Sequence, residues 1–245
     1  MKFNSLVPFV LCISSLLYAE WDPSVLQSTP NFRFFLKKSS YEILKKKIIQ
    51  ELKNSWCSIE KIHLLMDLTL LTRPKVCVEI GACMGASILP VAATLKHLNS
   101  GKIFAIDAWS NLEAIKYLAD DDPNKQWWAH LDMNSVHAQY QALVKRWSLE
   151  NVCTEVFGPS TQAINNIPAE IDFLHLDGDY SERGSLEDAE LYLPKVKSGG
   201  YILLSNFYLM IAREQPKVQT FVALCDQCEI VASIENNNAI LFRKN

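Results

Sequence analysis

From Pro74 onward the chain alternates short apolar, β-branched runs with longer stretches of helical period, and no other feature constrains its architecture as much. Apolar runs of this length that lack a polar side are strands of a parallel sheet with helices on both faces. Strands are expected at residues 76–80, 102–106, 152–157, 171–176 and 201–204. Two more, near 229–234 and 239–242, flank the polar turn Glu235-Asn-Asn-Asn238 and predict a closing antiparallel hairpin. The expected fold class is therefore α/β, with a doubly wound, mostly parallel seven-stranded sheet, a C-terminal antiparallel hairpin and helices ahead of the first strand.

Two helices precede the sheet. In the first, over 40–54, Ile43, Leu44, Ile48, Ile49 and Leu52 recur at helical spacing, whereas Lys45, Lys46 and Lys47 are read as a solvated face. The second, over 58–71, carries Ile59, Ile62, Leu64, Leu65, Leu68 and Leu71 and is stopped by Pro74. The longest connection, 109–150, holds a polar loop at 119–125 and then a helix with Trp127, Trp128, His130, Tyr140 and Trp147. The loop is a candidate lid or substrate determinant, and the tryptophan-rich helix reads as core ahead of an acceptor platform.

The first 19 residues need separate treatment. Lys2, the apolar run 6–18 and Ala19 fit a secretory signal peptide, the run being short for a transmembrane helix. A buried helix or an uncleaved anchor is the alternative. The division expected is a candidate signal over 1–19, an arm and helix over 20–57, and one domain over 58–245. Such a segment implies export, to a periplasmic, secreted or membrane-anchored location, with transient membrane contact through it only; if it is not a signal, the protein is cytoplasmic. Of seven cysteines, one lies in this segment. Cys225 and Cys228 form a C-x-x-C that either bridges in an oxidising compartment or simply packs.

Composition removes several classes. A chain of 245 residues that is 49% hydrophobic and 21% charged is not disordered, collagenous or coiled coil. The net charge of -3 provides no global basic field, so nucleic acid is not the expected partner.

The chemistry is concentrated where strands end. The first strand runs into Glu79-Ile-Gly81-Ala-Cys-Met-Gly85-Ala-Ser87 and an apolar helix, a turn that brings backbone and helix N-terminus close to a ligand. Position 83 is Cys, so the pyrophosphate glycine of a dinucleotide fingerprint is missing, and no Gly-Lys-Ser/Thr makes a P-loop. This argues against an NAD-linked oxidoreductase and for a smaller nucleoside ligand. Asp107 ends the second strand, 22 residues beyond Gly85, where a carboxylate can accept ribose hydroxyls. The fourth strand runs into Asp177-Gly-Asp179, two carboxylates suited to a divalent cation or a general base.

The blocks VCVEIGACMGAS, KIFAIDAW and IDFLHLDGDYSERGSLEDAELYLPKVKSGGYILLSNF together resemble class I S-adenosylmethionine-dependent methyltransferases. More narrowly they resemble the macrocin-type O-methyltransferase group, over roughly residues 60–242. The resemblance implies a Rossmann-like fold, S-adenosylmethionine as cofactor and a small hydroxylated molecule as acceptor. It also implies that Glu79, Gly81, Gly85 and Ser87 line the methionine end, that Asp107 holds the ribose and that Ser160 lies near the adenine. Asp177 falls at the position that meets cofactor and magnesium in metal-dependent relatives, and Asp179 at that of a candidate base.

Two departures bear on the metal. The family's Asp-Asp (Asp-Asn in catechol-type relatives) after the fifth strand is here Ser205-Asn206, and the His after Asp-Gly-Asp is Tyr180. Asn206 is left as a metal ligand beside Asp177, but a neutral Ser205 weakens a hard-cation site and argues against dependence on magnesium. His175 is read as a strand residue packed on the sheet. The competing function is a catalytically inactive relative, exported and binding a nucleoside or a protein, because S-adenosylmethionine is a cytosolic metabolite.

Overall fold

The computed structural model describes residues 39–207 and 217–245. The candidate signal and most of the arm lie outside the described residues. Two helices come first, α1 (Ser39–Leu52) and α2 (Ile59–Thr72). Ser58 caps α2 by accepting from Lys61 N, and Arg73 closes it in the left-handed conformation ahead of Pro74.

There follow β1 (Val76–Ile80), α3 (Ile88–Leu98), β2 (Lys102–Asp107), α4 (Asn111–Ile115), α5 (Pro123–His130), α6 (Met133–Arg146) and β3 (Cys153–Phe157). After these come α7 (Ser160–Ala163), β4 (Ile171–Leu176), α8 (Glu182–Tyr192), β5 (Val196–Leu204), α9 (Val218–Cys225), β6 (Cys228–Ile234) and β7 (Ala239–Lys244). The seven strands form one sheet in the order β3-β2-β1-β4-β5-β7-β6, with β7 antiparallel to both its neighbours. The expected Rossmann-like architecture is what the chain adopts.

Strand periodicity splits the core in two. Cys77, Ala105, Phe173, Leu203 and Leu241 face the layer made by α1, α2, α3 and α6. Val78, Ile80, Leu174, Leu176, Ile202 and Leu204 face α7, α8 and α9. Both sides of β1 and β4 are therefore dry, which is why these strands read as nearly unbroken apolar runs.

Four expectations are corrected. Lys45 is not on a solvated face: it is buried, and its ammonium lies 2.7 Å from both oxygens of Asp67 on α2, which also accepts from Tyr41 Oη at 2.9 Å. Conversely Ile43, placed on the apolar face, is 54% exposed. The helix expected to run on from Trp127 is two helices, because Asp132 accepts from Ser135 N and starts α6 afresh. Strand β5 begins five residues earlier than Tyr201, at Val196, with a register shift opposite Ile171–Phe173 that takes up the polar, glycine-containing stretch.

The six described cysteines, Cys225 and Cys228 among them, are free thiols. Among the described residues no helix is long and apolar enough to cross a membrane.

Candidate active site

Strand order reverses between β1 and β4, and a cleft of about 650 Å³ opens over the carboxyl ends of β1, β2 and β4. This is where open α/β sheets bind ligands, because the loops on either side of the reversal diverge. The turn after β1 is built by hydrogen bonds and left-handed backbone. Gly81 (φ +90°) and Ala82 both donate to Ile106 O, and Gly85 (φ +84°) donates to Ala82 O. A Cβ on Gly81 would sit 2.4 Å from the carbonyl oxygen of Asp177, so glycine is required for the β1 and β4 loops to touch.

Asp107 clamps this turn to the end of β2. Its Oδ2 accepts from Cys83 N at 2.8 Å and its Oδ1 from Trp109 N at 2.7 Å, while the Trp109 indole donates to Cys83 O at 2.9 Å. Burial pushes the Asp107 carboxyl up, against the pull of the two N–H groups. Cys83 and Trp109 hold positive φ without being glycine, as does Asn206, and all three border the cleft. Left-handed backbone on such residues is costly and accumulates at functional sites.

The expected cofactor residues divide into two sets. Gly81, Ser87, Asp107, Ser160 and Asp177 line the cleft. Glu79 and Gly85 are not among its lining residues. Glu79 is fully buried behind the turn, where it accepts from the Ser87 hydroxyl and lies 3.1 Å from His175 Nδ1. Gly85 is pressed under α6, where a Cβ would meet Leu143 at 3.0 Å and Tyr140 at 3.2 Å. His175 does more than pack: its Nε2 is 2.8 Å from Ser205 Oγ and 3.5 Å from Asp177 Oδ2. A polar file Ser87–Glu79–His175–Ser205 thus crosses the core beneath the cleft.

On the β4 side, Asp179 borders the cleft with its Oδ1 accepting from Ser181 N at 2.6 Å. Burial pushes its carboxyl up, opposed by Ser181. Gly184 leaves room for this side chain, since a Cβ there would lie 2.2 Å from Asp179 Cγ. Tyr180 takes the place of the family histidine, with its ring centroid 5.4 Å from that of Trp128. Trp128 packs edge-on against Trp127 at 4.6 Å, and Trp127 against Trp56 at 5.3 Å, so an aromatic file leads from the surface into the cleft. Trp127 and Trp56 are 45% and 59% exposed, which corrects the reading of this helix as plain core.

Two lining residues had no place in the sequence reading. Asp188 on α8 is buried beside Ser160, and burial raises its carboxyl to about 7. It shares a helix face with Gly184, Ser185, Ala189 and Tyr192, so an acid at a buried helical position was the available signal. Lys61 on α2 is 5% exposed, with its ammonium 3.9 Å from Asp177 Oδ2 and 3.4 Å from Glu235 Oε2. Burial pulls the Lys61 ammonium down, but the two carboxylates outweigh it and hold the pKa at about 12.

The donor set does not fit a divalent cation. Asn206 turns its amide N–H to Asp177 Oδ1 at 2.5 Å, Ser205 is buried on His175, and a lysine faces the remaining Asp177 oxygen. Among the described residues no three His, Cys, Asp or Glu side chains converge as a metal site requires.

A cleft at the switch point of this sheet, with a glycine turn on one wall and paired acids on the other, defines a class I methyltransferase scaffold. A methyltransferase-domain family profile matches residues 78–207, and the chain belongs to that family. No curated protein matches the sequence. Among solved structures, the SAH-bound methyltransferase PaMTH1 of Podospora anserina is 13% identical, with 100% of this chain and 98% of that one covered at a TM-score of 0.57. The O-methyltransferase NovP is 16% identical over 77% of this chain and 81% of its own, with a TM-score of 0.59. TomG of Streptomyces achromogenes, an O-methyltransferase of tomaymycin synthesis in complex with SAM, is 13% identical over 100% of both chains, with a TM-score of 0.55. At these identities the likeness is one of fold.

Proposed function

We propose that the chain transfers a methyl group from S-adenosylmethionine to a hydroxyl of a small acceptor, and that Asp179 takes up the hydroxyl proton. The observation that carries this reading is the juxtaposition at the switch point: the Asp107-clamped glycine turn faces a loop bearing Asp177 and Asp179 across one cleft. The cleft volume and the family support a nucleoside-sized ligand plus an acceptor. The complexes of PaMTH1 with SAH and of TomG with SAM support the choice of cofactor, and NovP and TomG the choice of oxygen.

The residues present fit such a cofactor. Gly158 borders the cleft at φ +136° with open space where a Cβ would stand, so a flat ring can approach its backbone. Asp107 and Ser160 would hold the ribose and adenine ends, and Gly81 with Ser87 the methionine end. Bound there, the cofactor supplies an electrophilic methyl group on a sulfonium. The chain's own contribution is to orient the acceptor, exclude water and remove a proton. Trp128 and Tyr180 would bound the acceptor side, next to Asp179. Burial of Asp179 makes it a stronger base than a free carboxylate once ionised.

Calorimetric titration of the full chain with S-adenosylmethionine and S-adenosylhomocysteine tests the reading, micromolar binding being the expected outcome. No binding to a demonstrably folded protein overturns it. Once an acceptor is in hand, Asp179→Asn is expected to keep cofactor affinity and lower kcat by ~10²–10⁴-fold. Unchanged turnover would remove Asp179 from that role.

A further inference from the structure

The cleft contains a lysine that its acids hold in place. Lys61 enters from α2, ahead of the sheet, and is 5% exposed although it borders the cleft. It lies between Asp177, at the end of β4, and Glu235, in the β6–β7 turn. Glu235 is itself fixed, because its backbone N donates to Glu60 Oε2 at 2.9 Å. Three separate elements therefore converge to seat one ammonium. Lys45 is likewise buried and paired, but only with Asp67 inside the helical layer, whereas Lys61 borders the cleft.

We propose that the Lys61 ammonium stands where a divalent cation would otherwise sit beside Asp177, giving the cleft a built-in positive charge for the acceptor oxygen. This rests on the methyl-transfer reading above and names the electrophile of that same site. The step balances without a metal. The acceptor O–H proton passes to Asp179, the O–CH₃ bond forms, the S–CH₃ bond breaks, and its electron pair returns to sulfur. Lys61 neither gains nor loses a proton; its fixed charge favours the deprotonated oxygen while the bond forms. The surroundings agree, since Asn206 presents a donor to Asp177 and Ser205 is taken up by His175. The cleft wall carries Asp177, Asp179 and Asp188. Another buried lysine, Lys217, stands behind them, donating to Ser205 O with its ammonium 5.9 Å from the Tyr180 ring, whereas Lys61 is the buried lysine that borders the cleft beside Asp177.

The test uses the full chain and Mn²⁺ as the probe, bound metal being read by electron paramagnetic resonance. The wild-type protein is expected to hold no Mn²⁺ at this site. Lys61→Met uncovers Asp177 and Glu235, and is expected to bind Mn²⁺ at least about tenfold more tightly. Adding Asp177→Asn is expected to cancel that gain, while Lys61→Arg continues to exclude the metal. With an acceptor in hand, Lys61→Met is also expected to lower kcat while leaving cofactor affinity unchanged, a split that a merely structural lysine would not produce. Wild-type binding as tight as that of Lys61→Met overturns the proposal, and so does a folded Lys61→Met, checked by its melting transition, that gains nothing. S-adenosylmethionine titration of the wild type runs alongside. Its failure would strike the methyl-transfer reading, whereas the manganese comparison judges Lys61 independently.

Discussion

Asp107 illustrates how one side chain can carry both fold and function. Its carboxylate is committed to Cys83 N and Trp109 N, each a left-handed residue that needs an outside tether. Asp107→Ala is therefore expected to abolish cofactor binding and also to cost about 2 kcal/mol of stability, read by calorimetry and by denaturant unfolding. Asp188 gives a pH signature. Its buried carboxyl is raised to about 7, above the ordinary carboxylate value. Between the two values the unfolded chain has lost its proton while the folded chain keeps it, so this group's contribution to stability falls as pH rises. Asp188→Asn should consequently gain on the wild type from pH 4 to pH 8, melting temperatures across that range being the check. Asp107, Asp177 and Asp179 were legible in the sequence because each stands where an apolar run stops. Lys61 and Asp188 were not, because a charged residue inside a helix is ordinarily solvated and only tertiary packing turns these two inward.

The same contrast holds for whole elements. The five parallel strands announced themselves by composition, and the hairpin by its Glu235–Asn238 turn. The start of β5 escaped because Lys197 to Gly200 have turn chemistry and lie in the register shift between the pairs Ile171–Val196 and Phe173–Tyr201. The break between α5 and α6 was equally hidden, although Asp132 with Ser135 is a capping pair once looked for. At α1, the run of three lysines concealed one that docks the helix. Lys45→Ala leaves Asp67 buried without its cation and is expected to lower stability by about 3–5 kcal/mol in chemical denaturation. Replacing both partners with apolar residues should recover part of that loss.

At the scale of the whole molecule, the sequence carries a candidate export segment ahead of the described residues. We propose that residues 1–19 direct export and are removed after Ala19, on the strength of Lys2, the apolar run and the small residue that ends it. N-terminal sequencing of protein recovered from cells should then begin at Glu20, and a chain beginning at Met1 would exclude cleavage. Within the described residues, the closing hairpin is more than an edge of the sheet. Its turn supplies Glu235, which holds Lys61 of the second helix against Asp177 of the fourth strand. A chain emerging from the ribosome can thus form its first helices and parallel strands early, yet the floor of its cleft stays electrostatically incomplete until the β6–β7 turn is made. Proteolytic loss of this hairpin would strip β5 of its partner, with the buried Ile240, Leu241 and Phe242, and would release Lys61 in the same event, so the sheet edge and the floor of the cleft stand or fall together.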